Sequence, residues 1–432
     1  MRVMEWLSTY RNTTPVIRFN DAELTVEDIV FASLVGQINL LLVSERGEGK
    51  TQILNDALYG IFGGYGSYIR CTPDMEIKDV FTAINLEQLK KKEGTTESVI
   101  ETTEAVKYPF TAIDELNRAP PIVQNQLLQI LDGYIEVNGK RYNLGIQYDK
   151  GKWYHVAIAT VNIDLEKYAG TFGIDLALLD RFGIVLDLDY YATSPDDVLA
   201  LLVDMTSSKL RISEKRDLTR DIIELHKEVL KETVPLEVII GALYLRDGID
   251  YISREPYSQR KLKSFSEKIH ESGALQGLMR PISIRTARQI IQLYKTLNVI
   301  TKVKGYRADE ELYFDNFVSL LPLVLPYSGA LNSNKVETLF YGNPMLAVEQ
   351  VKREIMSAFF FIKPTLVKSF RKLKAGSLTT KDLLVFNNEW SFLRQILEKE
   401  LSLVKEREKK KAKVKQDVKK GNKQRCSRAS RA

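Results

Sequence analysis

Five short apolar runs, near residues 38–43, 67–71, 109–113, 154–160 and 183–188, punctuate the first half of the chain, with helical stretches between them. An unbroken apolar run suits a strand buried on both faces. Strands alternating with helices predict a parallel sheet covered on both sides. Gln126 to Leu131 carries its apolar residues on one helical face, with Pro120 and Pro121 at the opening and Gly133 at the stop. Tyr134 to Tyr142 is centred on Asn138-Gly139, a pair that supplies positive φ at both central positions of a two-residue turn, and so predicts a hairpin. After the helix-start signal Ser194-Pro195-Asp196-Asp197 the pattern is helical to about Leu325. Near the end, Trp390, Leu393, Leu397, Leu401 and Val404 recur at three and four residues. This stripe predicts a helix packed on the body, with a partner helix or coiled coil as the alternative.

Composition narrows the picture. A chain of 432 residues exceeds one core and implies two or three domains. The net charge is +6, but residues 405–432 hold 13 Lys and Arg against 3 acidic residues, a net +10, which leaves −4 for everything before them. The basicity belongs to a solvated tail, open to nucleic acid or an acidic partner. Cys71 and Cys426 are far apart and the three histidines are isolated, which argues against a disulfide and against a zinc or iron site. Met1 to Trp6 lacks an apolar leader core. Residues 29–43 are interrupted by Gln37 and Asn39, and Phe317–Leu325 is short and contains Pro322, so neither reads as a membrane span. A reducing, cytoplasmic setting is expected.

The chemistry begins after the first buried run. Ser44-Glu45-Arg46-Gly47-Glu48-Gly49-Lys50-Thr51 fits G-x-x-x-x-G-K-[ST] except that Ser44 stands where the first glycine is expected. Such a loop turns successive N–H groups inward on phosphate oxygens, and the next helix adds its positive end. Lys50 can reach the β- and γ-phosphates of ATP, and the Thr51 hydroxyl can bind Mg²⁺. Glu48, between the glycines, would have to point away from the nucleotide. A second apolar run ends in Asp114-Glu115: Asp114 can share the metal with Thr51, and Glu115 can polarise the attacking water.

Asp114-Glu115-Leu116-Asn117-Arg118-Ala119-Pro120-Pro121 resembles the D-E-I-N-R-A-P-P signature of the MoxR family of AAA+ ATPases, and the hairpin after it resembles the helix-2 insert of the MoxR, chelatase and midasin group. The resemblance covers roughly residues 20 to 330. It implies an α/β fold: an AAA+ P-loop domain with a parallel sheet over 1–192 and an all-α lid over 193–330. Outside it, the apolar stripe and the charge pattern mark a helical appendage over 331–404 and the tail over 405–432. Val156 to Asn162 is similar to the family strand ending A-T-x-N, which makes Asn162 the polar sensor. Ala177 to Phe182 is similar to A-x-L-D-R-F, which makes Arg181 an arginine finger offered to a neighbouring subunit. Asp175-Leu176 replace the Pro-Glu usual before that stretch. Ser283-Ile284-Arg285 is similar to the lid's S-x-R, which makes Arg285 the second sensor, with Arg288 one turn later. The upstream G-Q adenine contact has no counterpart; Pro15 to Phe19 is the nearest substitute. The resemblance further implies a ring, taken as a hexamer, that remodels a protein client, often one with a von Willebrand factor A domain. A DNA-dependent motor and a non-hydrolysing assembly protein are the alternatives.

Overall fold

The computed structural model describes residues 10–45, 47–75, 78–84, 100–162, 172–203, 214–249, 278–386 and 390–403. Residues 250–277 and the basic tail lie outside them, as do His270 and Cys426.

The chain opens with an antiparallel hairpin, β1 (Pro15–Phe19) and β2 (Ala22–Thr25), followed by helix α1 (Val26–Gly36) and strand β3 (Leu40–Ser44). Helix α2 (Lys50–Asn55) leads through a π-helical turn to β4 (Gly66–Arg70). The pair β5 (Thr82–Ile84) and β6 (Ile100–Thr102) precedes β7 (Phe110–Asp114) and helix α3 (Pro121–Leu131). Two hairpins follow, β8 (Tyr134–Val137) with β9 (Lys140–Asn143) and β10 (Ile146–Asp149) with β11 (Lys152–Tyr154). Then come β12 (Val156–Asn162), the helical turn α4 (Leu176–Leu179) and β13 (Ile184–Asp187).

The main sheet runs β13–β3–β12–β7–β4, every pair parallel. Strands β3, β7, β12 and β13 are buried at every residue, which is why each reads as an apolar run. The edge strand β4 alternates instead, with Ser67 and Ile69 inward. Strand β3 has later strands on both sides, so the chain order reverses there, and in open parallel sheets the crevice at such a point receives the ligand. This is the α/β AAA+ fold, with a helical region after it.

Helix α1 is buried along nearly its whole length and opens with a capping box between Thr25 and Asp28. Three side chains satisfy carbonyls at its far end. Tyr154 donates its hydroxyl to Leu34 O at 2.6 Å, and Gln292 donates to Gly36 O at 3.0 Å. His226 Nδ1 lies 3.0 Å from Val35 O; a carbonyl can only accept, so Nδ1 carries the proton. His155 is also structural: it bonds Thr111 at 2.9 Å, and burial pushes its imidazole down to about 4.

Among the described residues the longer helices that follow are α5 (Pro195–Val203), α6 (Thr219–Lys231), α7 (Leu236–Leu243), α8 (Ile284–Val303), α9 (Tyr313–Ser319), α10 (Ser333–Phe340), α11 (Pro344–Lys374) and α12, residues 391–403. The described residues of 1–242 and 282–352 form one compact unit, and those of 243–281 and 353–432 a second. In the second, Trp390 stacks on Tyr244 with ring centroids 4.5 Å apart, and Leu393, Leu397 and Leu401 are buried, so the stripe is a packed face. Among the described residues no helix is long and apolar enough to cross a membrane.

Candidate functional site

The register of the sheet assembles the first cluster. Ser44 at the end of β3 pairs with Asn162 at the end of β12, and Arg70 of β4 pairs with Asp114 of β7. The loop after β3 therefore emerges beside the ends of three other strands. Gly47 and Gly49 have φ of 98° and 81°, values that side-chain-bearing residues rarely adopt. Between them Glu48 is half-buried, close enough for its charge to act on Lys50.

Lys50 turns back into its own loop. Its Nζ donates to Ser44 O at 2.8 Å, Ser44 Oγ at 2.6 Å and Glu45 O at 2.6 Å. Ser44, the departure from the glycine pattern, thus supplies an extra acceptor for the ammonium. Burial pushes Lys50 down to about 8, against the opposing pull of Asp189, Glu48, Asp114 and Glu115. Asp189, just after β13, also accepts from Glu45 N at 2.8 Å and pins the first turn of the loop.

The two adjacent carboxylates are held differently. Asp114 is 7% exposed; Oδ1 accepts from Thr160 Oγ1 and Oδ2 from the Tyr68 hydroxyl, both at 2.7 Å. Thr51 Oγ1 lies 3.5 Å from each Asp114 oxygen. Glu115 adopts the left-handed conformation (φ 56°, ψ 47°), a costly state for a side-chain-bearing residue and one that concentrates at functional sites. Its N–H donates to Thr160 Oγ1 at 2.9 Å, so one hydroxyl fixes both acids. Its Oε2 is buried without a hydrogen bond, with Arg118 Nε at 3.4 Å and Arg70 Nε at 3.8 Å, distances of loose ion pairs. Thr51 and Asp114 together offer the hard oxygen donors that Mg²⁺ prefers.

The second cluster lies at the other end of β3. Asn39, just before the strand, accepts from the N–H groups of Gly183 and Ile184, and its amide donates to Leu131 O and Arg181 O. Five residue-to-residue steps of extended chain take Asn39 to Ser44, roughly 17 Å. Arg181 and Arg285 are therefore brought to each other and kept from Lys50. Both line a cleft of about 720 Å³ with Arg288, Asp132, Asp180 and Gln289. Arg181 pairs with Asp132 Oδ2 through Nε and Nη2, both at 2.9 Å, and donates from Nη1 to Ala177 O at 2.8 Å. Arg285 Nη1 lies 2.9 Å from Asp180 Oδ2.

Several residues at these clusters carry no local signal in the sequence. Tyr68 sits on an edge strand, Thr160 inside a buried one, and Asp132 at a helix end; each acts on a partner more than forty residues away. Tyr10 is another: a Cβ on Gly49 would lie 2.8 Å from its ring, and its N–H donates to Asp56 at 3.0 Å. Segment 10–14 is tied down nearby, with Arg11 and Thr13 bound to Asp197 and Asn12 to Tyr191 O. Pro15 to Phe19, the nearest substitute for an adenine contact, is strand β1, and it is Tyr10 that reaches the loop.

Comparison with known proteins agrees with this architecture. Residues 39–182 match the AAA domain of the dynein-related subfamily. No curated protein matches the chain. Among solved structures, the chain is similar to a candidate ATPase from Cytophaga hutchinsonii at 17% identity and a TM-score of 0.51, over 76% of this chain and 87% of that one. A full-length MCM homologue from Methanopyrus kandleri matches at 14% identity and a TM-score of 0.39, over 64% of this chain and 50% of that one. At 17% identity the first likeness speaks for the fold.

Proposed function

We propose that this chain is an Mg-ATP-hydrolysing AAA+ motor of the MoxR-like kind, working as a ring, most simply a hexamer, on a protein client. One observation carries the reading: the phosphate loop with Thr51, Asp114 and Glu115 occupies one edge of the sheet, while Arg181 and Arg285 face a cleft at the other. Each subunit holds two halves of a phosphoryl-transfer site that cannot meet within it. A neighbour supplies the missing half.

In this reading Gly47, Glu48 and Gly49 wrap the phosphates with their backbone, and Lys50 leaves the Ser44 and Glu45 oxygens for the β- and γ-phosphates. Thr51 and Asp114 would hold Mg²⁺, which would supply charge neutralisation at the phosphates. Glu115 polarises the water, and Asn162, at the end of β12, orients it. Arg181 and Arg285 meet the γ-phosphate of the adjacent subunit, where negative charge spreads in the transition state.

The decisive test separates binding from turnover. Lys50→Ala is expected to abolish ATP binding, and Glu115→Gln to keep ATP bound while stopping phosphate release. Wild-type hydrolysis by Glu115→Gln would remove the role given to Glu115. Arg181→Ala should leave ATP affinity unchanged and cut turnover by about 10³-fold. Rings mixed from Arg181→Ala and Glu115→Gln subunits should regain activity, because an intact arginine edge then faces an intact loop.

A protein client is favoured over DNA by the helix-2 hairpin. Its one adjacent pair of cations is Lys140-Arg141, both exposed, with Arg141 lying over the Tyr134 ring at 3.7 Å, a small positive surface for gripping a phosphate backbone. The client class, including a von Willebrand A domain partner, is tested by capture on the Glu115→Gln ring with ATP. Several-fold stimulation of the ATPase by DNA would favour the DNA-motor reading instead.

A further inference from the structure

The residue before Arg181 has no role in the chemistry above, yet more bonds converge on it than on any other acid of the cleft. Asp180 Oδ1 accepts from Ser283 Oγ at 3.0 Å and Thr286 Oγ1 at 3.2 Å. Its Oδ2 accepts from Arg285 Nη1 at 2.9 Å, and its backbone carbonyl accepts from Gln289 Nε2 at 3.2 Å. All four donors belong to Ser283, which caps α8, or to the first turns of that helix; Ser283 Oγ also accepts from Thr286 N at 3.0 Å. A carboxylate at a helix N-terminus complements the dipole, and its bond to a guanidinium is charge-assisted.

Asp180 is therefore a latch between the turn that presents Arg181 and the helix that presents Arg285. Arg181 is fixed from the other side by Asp132 and Ala177 O. The run from α8 through Asp180 and Arg181 to the end of α3 holds two cations, from segments about a hundred residues apart, on one cleft wall. We propose that Asp180 is a positioning residue that makes Arg181 and Arg285 a single two-pronged receptor for the terminal phosphate of a neighbouring subunit. The proposal rests on the trans reading given above. Without the latch, α8 keeps its Ser283 cap but Arg285 loses its anchor, and the two prongs no longer arrive together.

The test uses full-length assembled protein. Asp180→Ala should lower kcat by about 10²-fold, the cost of an ångström-scale misplacement, and leave KM for ATP within about twofold, since the subunit's own loop is untouched. The discriminating readout is where the defect acts. In rings mixed with Glu115→Gln subunits, Asp180→Ala should regain activity as Arg181→Ala does, because its own nucleotide edge is intact. Recovery with Arg181→Ala but not with Asp180→Ala places the defect inside the mutant's own subunit and overturns the latch alone. Failure of both mixtures, in rings shown to exchange subunits, overturns the trans reading and the latch with it. An unchanged kcat also overturns the latch. Should Asp180→Ala not fold, Asp180→Asn goes through the same mixtures: it keeps the Oδ1 acceptor for both hydroxyls and replaces the Oδ2 acceptor that holds Arg285 with an uncharged amide donor.

Discussion

At the scale of single residues, the phosphate loop is pH-sensitive through Lys50. Burial holds its ammonium down to about 8, whereas in the unfolded chain it titrates near 10.5. Between those values the unfolded chain binds more protons than the folded one, so Lys50 makes the nucleotide-free protein gain stability as pH rises from about 8 to about 10.5. Phosphates act in the opposite sense by favouring the charged form. ATP affinity is therefore expected to hold steady below pH 8 and to weaken above it, by up to about tenfold per pH unit. Titration calorimetry from pH 7 to 9.5 checks this; a flat profile would mean that Lys50 keeps its proton throughout. The Asp114 hydroxyl partners give a second prediction. Tyr68→Phe removes one donor and keeps the ring, and burial together with Asp114 keeps that phenol protonated. It should raise the Mg²⁺ concentration needed for tight ATP binding several-fold, read as nucleotide affinity against Mg²⁺, while the melting profile stays put.

At the scale of elements, the main sheet and the Asn138-Gly139 hairpin were legible because their signals are local. Buried parallel strands must be apolar throughout, and a two-residue turn must tolerate positive φ; Asn138 and Gly139 have φ of 50° and 72°. The loop and the Asp114-Glu115 pair were legible for the same reason, as spacing within one stretch. The β1–β2 hairpin was not. Its turn is Asn20-Asp21, without glycine, and its stability comes from far along the chain. Asn20 is 2% exposed, its N–H and side chain bond Asn316, and its amide also donates to Asn298 and Thr301 at 2.9 Å. Partners nearly three hundred residues away leave no periodicity to read. Asp180 likewise carries no local signal of its role, since its value lies in where α8 docks. Asn20→Ala should destabilise the first unit by about 3 kcal/mol, because it strands buried amides as well as deleting bonds. The check is urea unfolding, where a change under 1 kcal/mol would mean that the hairpin is held by its apolar face alone.

At the scale of the molecule, the charge is divided. Residues 405–432 carry a net +10 and none of the sequence motifs assigned to binding or cleaving ATP. Truncation after Val404 should leave basal ATPase intact and abolish any binding to nucleic acid. That binding should fall with salt at a log-log slope of about −0.9 per phosphate contacted on duplex DNA. DNA stimulation that survives truncation would mean that the body itself grips nucleic acid.

If the arginine wall meets a neighbour's loop as proposed, the length of β3 between loop and arginines also makes the subunit directional, with a donor edge and an acceptor edge that do not resemble each other. Contacts of this kind are heterologous. They cannot terminate in a two-fold pair, and copies add head to tail until the rotation per copy either returns to its start or climbs past it. Closure is thus a matter of angle. In that assembly the number of subunits would be set by how the arginine wall is tilted against the sheet, and small changes at that wall would turn a closed circle into a spiral without altering any residue that touches ATP.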